Sequence, residues 1–205
     1  MTLQGVTFQG PALKDPSPLD GLPGELFEVL WQINGFVAYA GGLHLRGFVD
    51  EPNWHSFERY RSGDMALHKM FSVVEESDIP FGQDFLGNQF LLRHDEVWRL
   101  RSDTGEATGL AVGLAEFFDA CKKDPIDFLG LELLAEYHQL HGMLEPGDLV
   151  HTMPPLCLRR DDKKLAMKSV PIDNALSFLA VFAKQVAEAP EGETVHLELV
   201  SPRKS

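Results

Sequence analysis

Few residues in this chain are spaced for chemistry. His138 and His141 in EYHQLHG stand three apart, which puts both imidazoles on one side of a helix, and Glu136 or His151 would have to complete a metal set. Histidines in a last helical turn also complement the helix dipole without any metal, and no metal or other cofactor is expected here. Gln83, Asp84 and Asn88 have side chains that suit a recognition cleft, yet short polar groups between strands also bond turn backbone. Asp103, Thr104 and Glu106 form a second polar set, suited to capping a following helix. Trp54, beside His55, is either an aromatic platform or a packing anchor at a helix start. Cys121 and Cys157 are too few for a disulfide framework and read as small buried groups. The sequence holds no phosphate-binding GxxxxGK, no GxGxxG after a strand, no GxSxG and no CxxC, so it points away from catalysis. The candidate contact residues are therefore Trp54, Gln83, Asp84, Asn88, Asp103 and Glu106.

The elements that must position them centre on Ile79 to Glu106. Phe90 to Leu92 and Val97 to Leu100 are apolar runs around His94 and Asp95, and their alternation predicts a β-hairpin over Phe90 to Arg101. Gly82, Gln83, Asp84, Gly87 and Asn88 supply turn chemistry before it, and Asp103-Thr104-Gly105 predicts a turn into a helix. Upstream, Pro23 and Asn34-Gly35 bracket a helix whose apolar positions are Leu22, Leu26, Leu30 and Ile33. Phe36 to Ala40 and Leu43 to Arg46 suggest short strands around Gly41-Gly42. Asn53 and Asp64 are candidate caps for helices through Tyr60 and Phe71. Downstream, one helical face runs from Leu110 to Cys121 and another from Pro125 through Tyr137. Leu149-Val150 reads as a strand, Arg159 to Lys164 as an exposed loop, Ile172 to Ala187 as an apolar helix with Asp173 as its candidate cap, and Thr194 to Val200 as a final strand.

With 205 residues and 44% hydrophobic content the chain can bury one core. The expected organisation is an irregular lead-in over 1–21, a core over 22–158, and a helix-and-strand extension over 159–205 packed on it. The expected class is α+β, a mainly antiparallel sheet with helices packed on one face. No apolar run approaches the roughly 20 residues of a membrane span, and MTLQGVTFQG lacks signal-peptide features, so a cytoplasmic protein is expected. Thirty-one acidic against 18 basic residues give a net charge of −13. That balance disfavours nucleic acid and anionic membranes, which are bound by clustered Lys and Arg. The carboxylates between Asp103 and Asp148 are either solvated helix faces or a surface that steers a cationic protein.

The order IPFGQDF, GNQFLL, VWRL and DTGE resembles the SUKH superfamily of bacterial immunity proteins and a yeast cell-wall assembly regulator. LPGELFEVLWQING at Leu22 to Gly35 resembles the family's opening helix, and WHSF at Trp54 to Phe57 its next landmark, so the resemblance spans roughly Leu22 to Pro155. His94-Asp95-Glu96 departs from the glycine-containing turn usual there. The resemblance implies a non-enzymatic module that binds and neutralises a toxin, often a nuclease, so the expected partner is a basic toxin domain. The alternatives are an intracellular scaffold of the yeast type and, third, a small-ligand binder or enzyme using a cleft near Asp84 and Trp54.

Overall fold

The computed structural model describes residues 4–158 and 165–188. Seven antiparallel strands pair in chain order as a meander: β1 (Phe8–Gln9), β2 (Phe36–Ala38), β3 (Leu43–Leu45), β4 (Ile79–Asp84), β5 (Gln89–Arg93), β6 (Glu96–Arg101) and β7 (Glu106–Gly109). A second antiparallel pair joins β8 (Asp148–Met153) to β9 (Ala166–Pro171). The helices are α1 (Gly24–Gln32), α2 (Phe57–Arg61), α3 (Leu67–Met70), α4 (Leu114–Lys123), α5 (Pro125–Leu129), α6 (Glu132–His141) and α7 (Ile172–Glu188). The α+β class with a mainly antiparallel sheet is thus observed, in a single domain.

Alternation along the central hairpin decides the layering, because successive side chains point to opposite faces. Phe90, Leu92 and Val97 join Phe81 against α1 and α4, where Leu26, Leu30, Phe117 and Phe118 are buried. Leu91 and Leu100 point the other way and pack with Tyr60, Phe71 and the α7 residues Leu176 and Ala180. The expected helical layer on one face is present, and the structure adds a second layer, of α2, α3 and α7, on the other. Two covered faces explain why the β5 segment QFLLR reads as nearly continuous apolar sequence. The C-terminal helix therefore closes the core, each of its large buried side chains contributing about 1.5–3 kcal/mol.

The hairpin turn is His94-Asp95, with φ of +48° and +66°. Positive φ at both central residues is the geometry whose twist suits a two-residue hairpin, and Asn-Gly adopts it with least strain. The double substitution His94→Asn, Asp95→Gly is expected to stabilise the domain by about 1 kcal/mol, read as a raised urea midpoint. An unchanged or lowered midpoint would show that these side chains stabilise the turn by other contacts.

Several expectations are corrected. Asp103-Thr104-Gly105 turns into β7, not a helix, because Glu106–Gly109 pairs with Trp98 to Arg101; the helix begins only at Leu114. Gly82, Gln83 and Asp84 lie inside β4, where the register shifts between Pro80 and Gly82 as a β-bulge. The stretch from Pro125 to Tyr137 is two helices, broken at Gly130 with φ +68°. Asp64 caps nothing at α3, whose N-cap is Ala66, and instead pairs with Arg59 at 2.9 Å. The lead-in holds β1, bonded to β2. The loop expected at Arg159 to Lys164 and the strand at Thr194 to Val200 lie outside the described residues.

Candidate functional site

The β4–β5 connection gathers Gln83, Asp84 and Asn88. Asp84 is buried, and its carboxylate accepts from the backbone N–H of Leu86 (2.9 Å) and Asn88 (3.0 Å), from Asn88 Nδ2 (2.8 Å) and from Arg99 Nη2 (2.7 Å). Asn88 Oδ1 accepts from the backbone N–H of Ser102 at 3.2 Å, which ties this turn to the end of β6. Both side chains hold the turn together, as short polar groups between strands do. Gln83 is fully buried and accepts from Arg46 Nη2 at 2.8 Å.

Beside Gln83 lies a second polar set. His44 stands opposite Gln83 in the β3–β4 register, and its Nε2 is 2.8 Å from His55 Nδ1. His55 Nε2 is 3.1 Å from the Asn34 carbonyl, which only accepts, so His55 carries its proton on Nε2. His55 Nδ1 therefore accepts, His44 Nε2 donates, and His44 Nδ1 is left as a bare acceptor with no partner among the described residues. The ring of His55 is cradled by backbone: a Cβ on Gly35 or Gly47 would meet it at 2.5 Å or 2.7 Å. Trp54 is half-buried and lies edge-on to Phe8 (4.9 Å between ring centroids), His44 (5.2 Å) and His55 (5.5 Å). Its indole fills the space a side chain at Gly147 would take, which makes it a packing anchor.

Burial pushes His44 well below its ordinary 6.5, helped by His55 and Arg46, and pushes His55 down to about 4, where the Asn34 carbonyl opposes the shift and Arg46 adds to it. A base whose folded pKa is depressed adds stability fully above its unfolded value and loses it as pH falls toward the folded one. For His55 the window runs from 6.5 down to about 4 and is worth about 3 kcal/mol. Urea unfolding at pH about 7 and about 4.5 is expected to show that loss, and the double variant His44→Asn, His55→Gln to lose less over the same interval. Equal acid losses in both proteins would mean that the pair contributes nothing to the pH dependence.

Asp103, in the β6–β7 turn, accepts on Oδ2 from the Cys157 backbone N–H (3.0 Å) and Arg101 Nη2 (3.2 Å). Its Oδ1 is buried without a partner among the described residues. A cavity of about 60 Å³ lies between this turn, β8 and α7, lined by Asn88, Arg101, Asp103, His151 and Thr152 with Leu86 and Leu179. That volume is far below the roughly 300–1,000 Å³ of ligand pockets. Glu106 is exposed, bonds Thr104 Oγ1 at 3.2 Å within its own turn, and does not join the others. Burial pushes the Cys157 thiol up to about 11 and Cys121 up to about 12, which leaves neither as a thiolate nucleophile at neutral pH.

His138 and His141 do share the last turn of α6, as their spacing predicts, with His138 edge-on to Tyr137 at 6.1 Å between ring centroids and His141 tilted to it at 5.0 Å. The imagined third ligand His151 instead packs edge-on against Phe178 at 5.0 Å. Among the described residues no three His, Cys, Asp or Glu side chains gather as a metal set. Sequence reasoning missed Arg46, Tyr60 and Asp173. The Arg46 guanidinium lies 4.1 Å above the Tyr60 ring, and Tyr60 donates to Asp173 Oδ1 at 3.0 Å, so Asp173 links α7 to α2 and does not cap its own helix.

No family model matches the sequence, and no curated protein does. Among solved structures, the chain is similar to the crystal structure of Atu4351 from Agrobacterium tumefaciens: 11% identity over 85% of each chain, with a TM-score of 0.56. That likeness is one of fold. No helix among the described residues is long and apolar enough to cross a membrane.

Proposed function

We propose that the protein is a non-enzymatic, protein-binding immunity module of the SUKH type, which occupies the basic substrate surface of a cytoplasmic toxin domain, most simply a nuclease. The observation that carries this reading is the placement of the charge: from Glu116 to Glu145, across α4, α5 and α6, every carboxylate is exposed. The polar residues of the β4–β5 turn are meanwhile bonded within the fold, which supports a surface reading over a cleft at that turn. A net charge of −13 matched to a cationic groove raises the association rate and competes with the phosphate backbone that groove evolved to hold. Co-purification of the tagged protein with the product of the adjacent reading frame, together with growth of cells expressing that product, tests it. A complex that weakens with salt and restores growth is expected. The absence of both complex and rescue would remove the immunity reading.

A further inference from the structure

The outward face of α6 combines carboxylates with large apolar side chains that have no place in the core. Leu134 and Tyr137 turn inward and are buried. The opposite ridge runs Glu132, Glu136, Leu140, each four residues on and so a neighbour of the next. Leu140 is 63% exposed, and Met143, just past the helix end at Gly142, is 56% exposed. A helix-forming polar residue would serve as well at position 140, so neither propensity nor packing accounts for the leucine. An apolar centre beside charged groups has the make-up of a docking surface, apolar in its core and polar at its rim.

The sign of the charge selects the occupant. Glu132 and Glu136 form no ion pair among the described residues. A second copy laid against this ridge would bring the same carboxylates, and another −13, into opposition. Anionic lipid and nucleic acid are repelled in the same way. A protein surface on which Lys or Arg flanks an apolar patch meets both the carboxylates and the side chains of Leu140 and Met143. We infer that the α6 ridge from Glu132 to Met143 is the docking surface for a basic protein partner; this rests on the binding reading above and assigns its location.

The test measures binding kinetics to the product of the adjacent reading frame. Leu140→Ser with Met143→Ser is expected to raise the dissociation rate about tenfold and leave association unchanged. Glu132→Gln with Glu136→Gln is expected to slow association several-fold at low salt and flatten its salt dependence. Trp31→Ser, an exposed aromatic on α1, is expected to bind as the parent does. Hydrogen exchange on the unmodified complex guards against misfolded variants: the amides of residues 132–143 are expected to gain protection. A complex indifferent to both double substitutions, with no protection there, overturns this surface and leaves the immunity reading standing. Absence of any complex with the parent protein removes that reading and this surface together.

Discussion

Replacing Arg46 by methionine is expected to lower the unfolding free energy by about 4 kcal/mol, measured by urea unfolding at neutral pH. Arg46 is fully buried directly after β3, and its guanidinium serves four acceptors. Nη1 donates to the carbonyls of Pro80 (3.2 Å) and Gly82 (3.3 Å), on either side of the β4 bulge, and Nη2 to Gln83 Oε1 (2.8 Å) and Gln89 Oε1 (2.5 Å). The guanidinium thus spans the bulge, donating to the carbonyl on each side of it. Methionine keeps much of the volume and withdraws a donor from all four acceptors; Gln83 Oε1 keeps the Gln89 amide at 3.3 Å, and each acceptor left unpaired costs about 1–3 kcal/mol, offset in part by relief of the buried charge. That charge is retained: burial pushes Arg46 down only to about 10, with Tyr60 acting in the opposite direction. Arg46→Lys separates the two contributions, since an ammonium keeps the charge over Tyr60 but cannot span four acceptors in one plane. A loss close to that of methionine is expected. A near-neutral lysine would show that charge over the ring outweighs the fork, and a methionine variant within about 1 kcal/mol of the parent would remove the bulge argument altogether.

The elements with strong local signals were legible before any coordinates. The α1 helix follows from Pro23 and Asn34-Gly35, and the β5–β6 hairpin from alternation around His94-Asp95, because both depend on residues close in sequence. β7 was not legible: Glu106–Gly109 is EATG, with no apolar side chain larger than alanine, and it is a strand only because β6 offers it a ladder. Arg46 was hidden for a related reason. In LHLRG an arginine after alternating leucines looks like the solvent end of a strand, and its acceptors come from more than thirty residues later, at Pro80, Gly82, Gln83 and Gln89. The second helical layer was half visible, since Leu91 and Leu92 are adjacent and must face opposite ways, which requires cover on both sides. Of the candidate contact residues, Gln83, Asp84 and Asn88 share one turn, Asp103 reaches it through the cavity it shares with Asn88, and Trp54 through His44. Glu106 stands apart, because its turn points it into solvent.

Substituting Asp84 by alanine is expected to cost about 3–4 kcal/mol. The carboxylate holds two backbone N–H groups, the Asn88 amide and the half-buried Arg99 guanidinium in one buried place, and alanine leaves all of them to find other partners. Arg99 retains some access to water, which keeps the loss below that of a wholly buried pair. Asn at this position keeps an acceptor for the Leu86 and Asn88 N–H groups but gives up the charge on Arg99 and turns an amide donor toward the Asn88 amide, so Asp84→Asn is expected to cost about half as much. The effect does not stop at the turn. Gly87, with φ +86°, sits where a Cβ would meet Leu149 and the α7 residues Leu176 and Leu179, so this turn is part of the floor on which α7 packs. Amides of α7 are therefore expected to exchange faster in Asp84→Ala than in the parent, by more than global destabilisation alone produces. The same variant separates architecture from contact: with the residual folded fraction allowed for, its affinity for the adjacent-frame product is expected to match the parent's. Lost affinity at retained stability would instead make Asp84 a contact residue, and would move the binding surface from α6 to the β4–β5 turn.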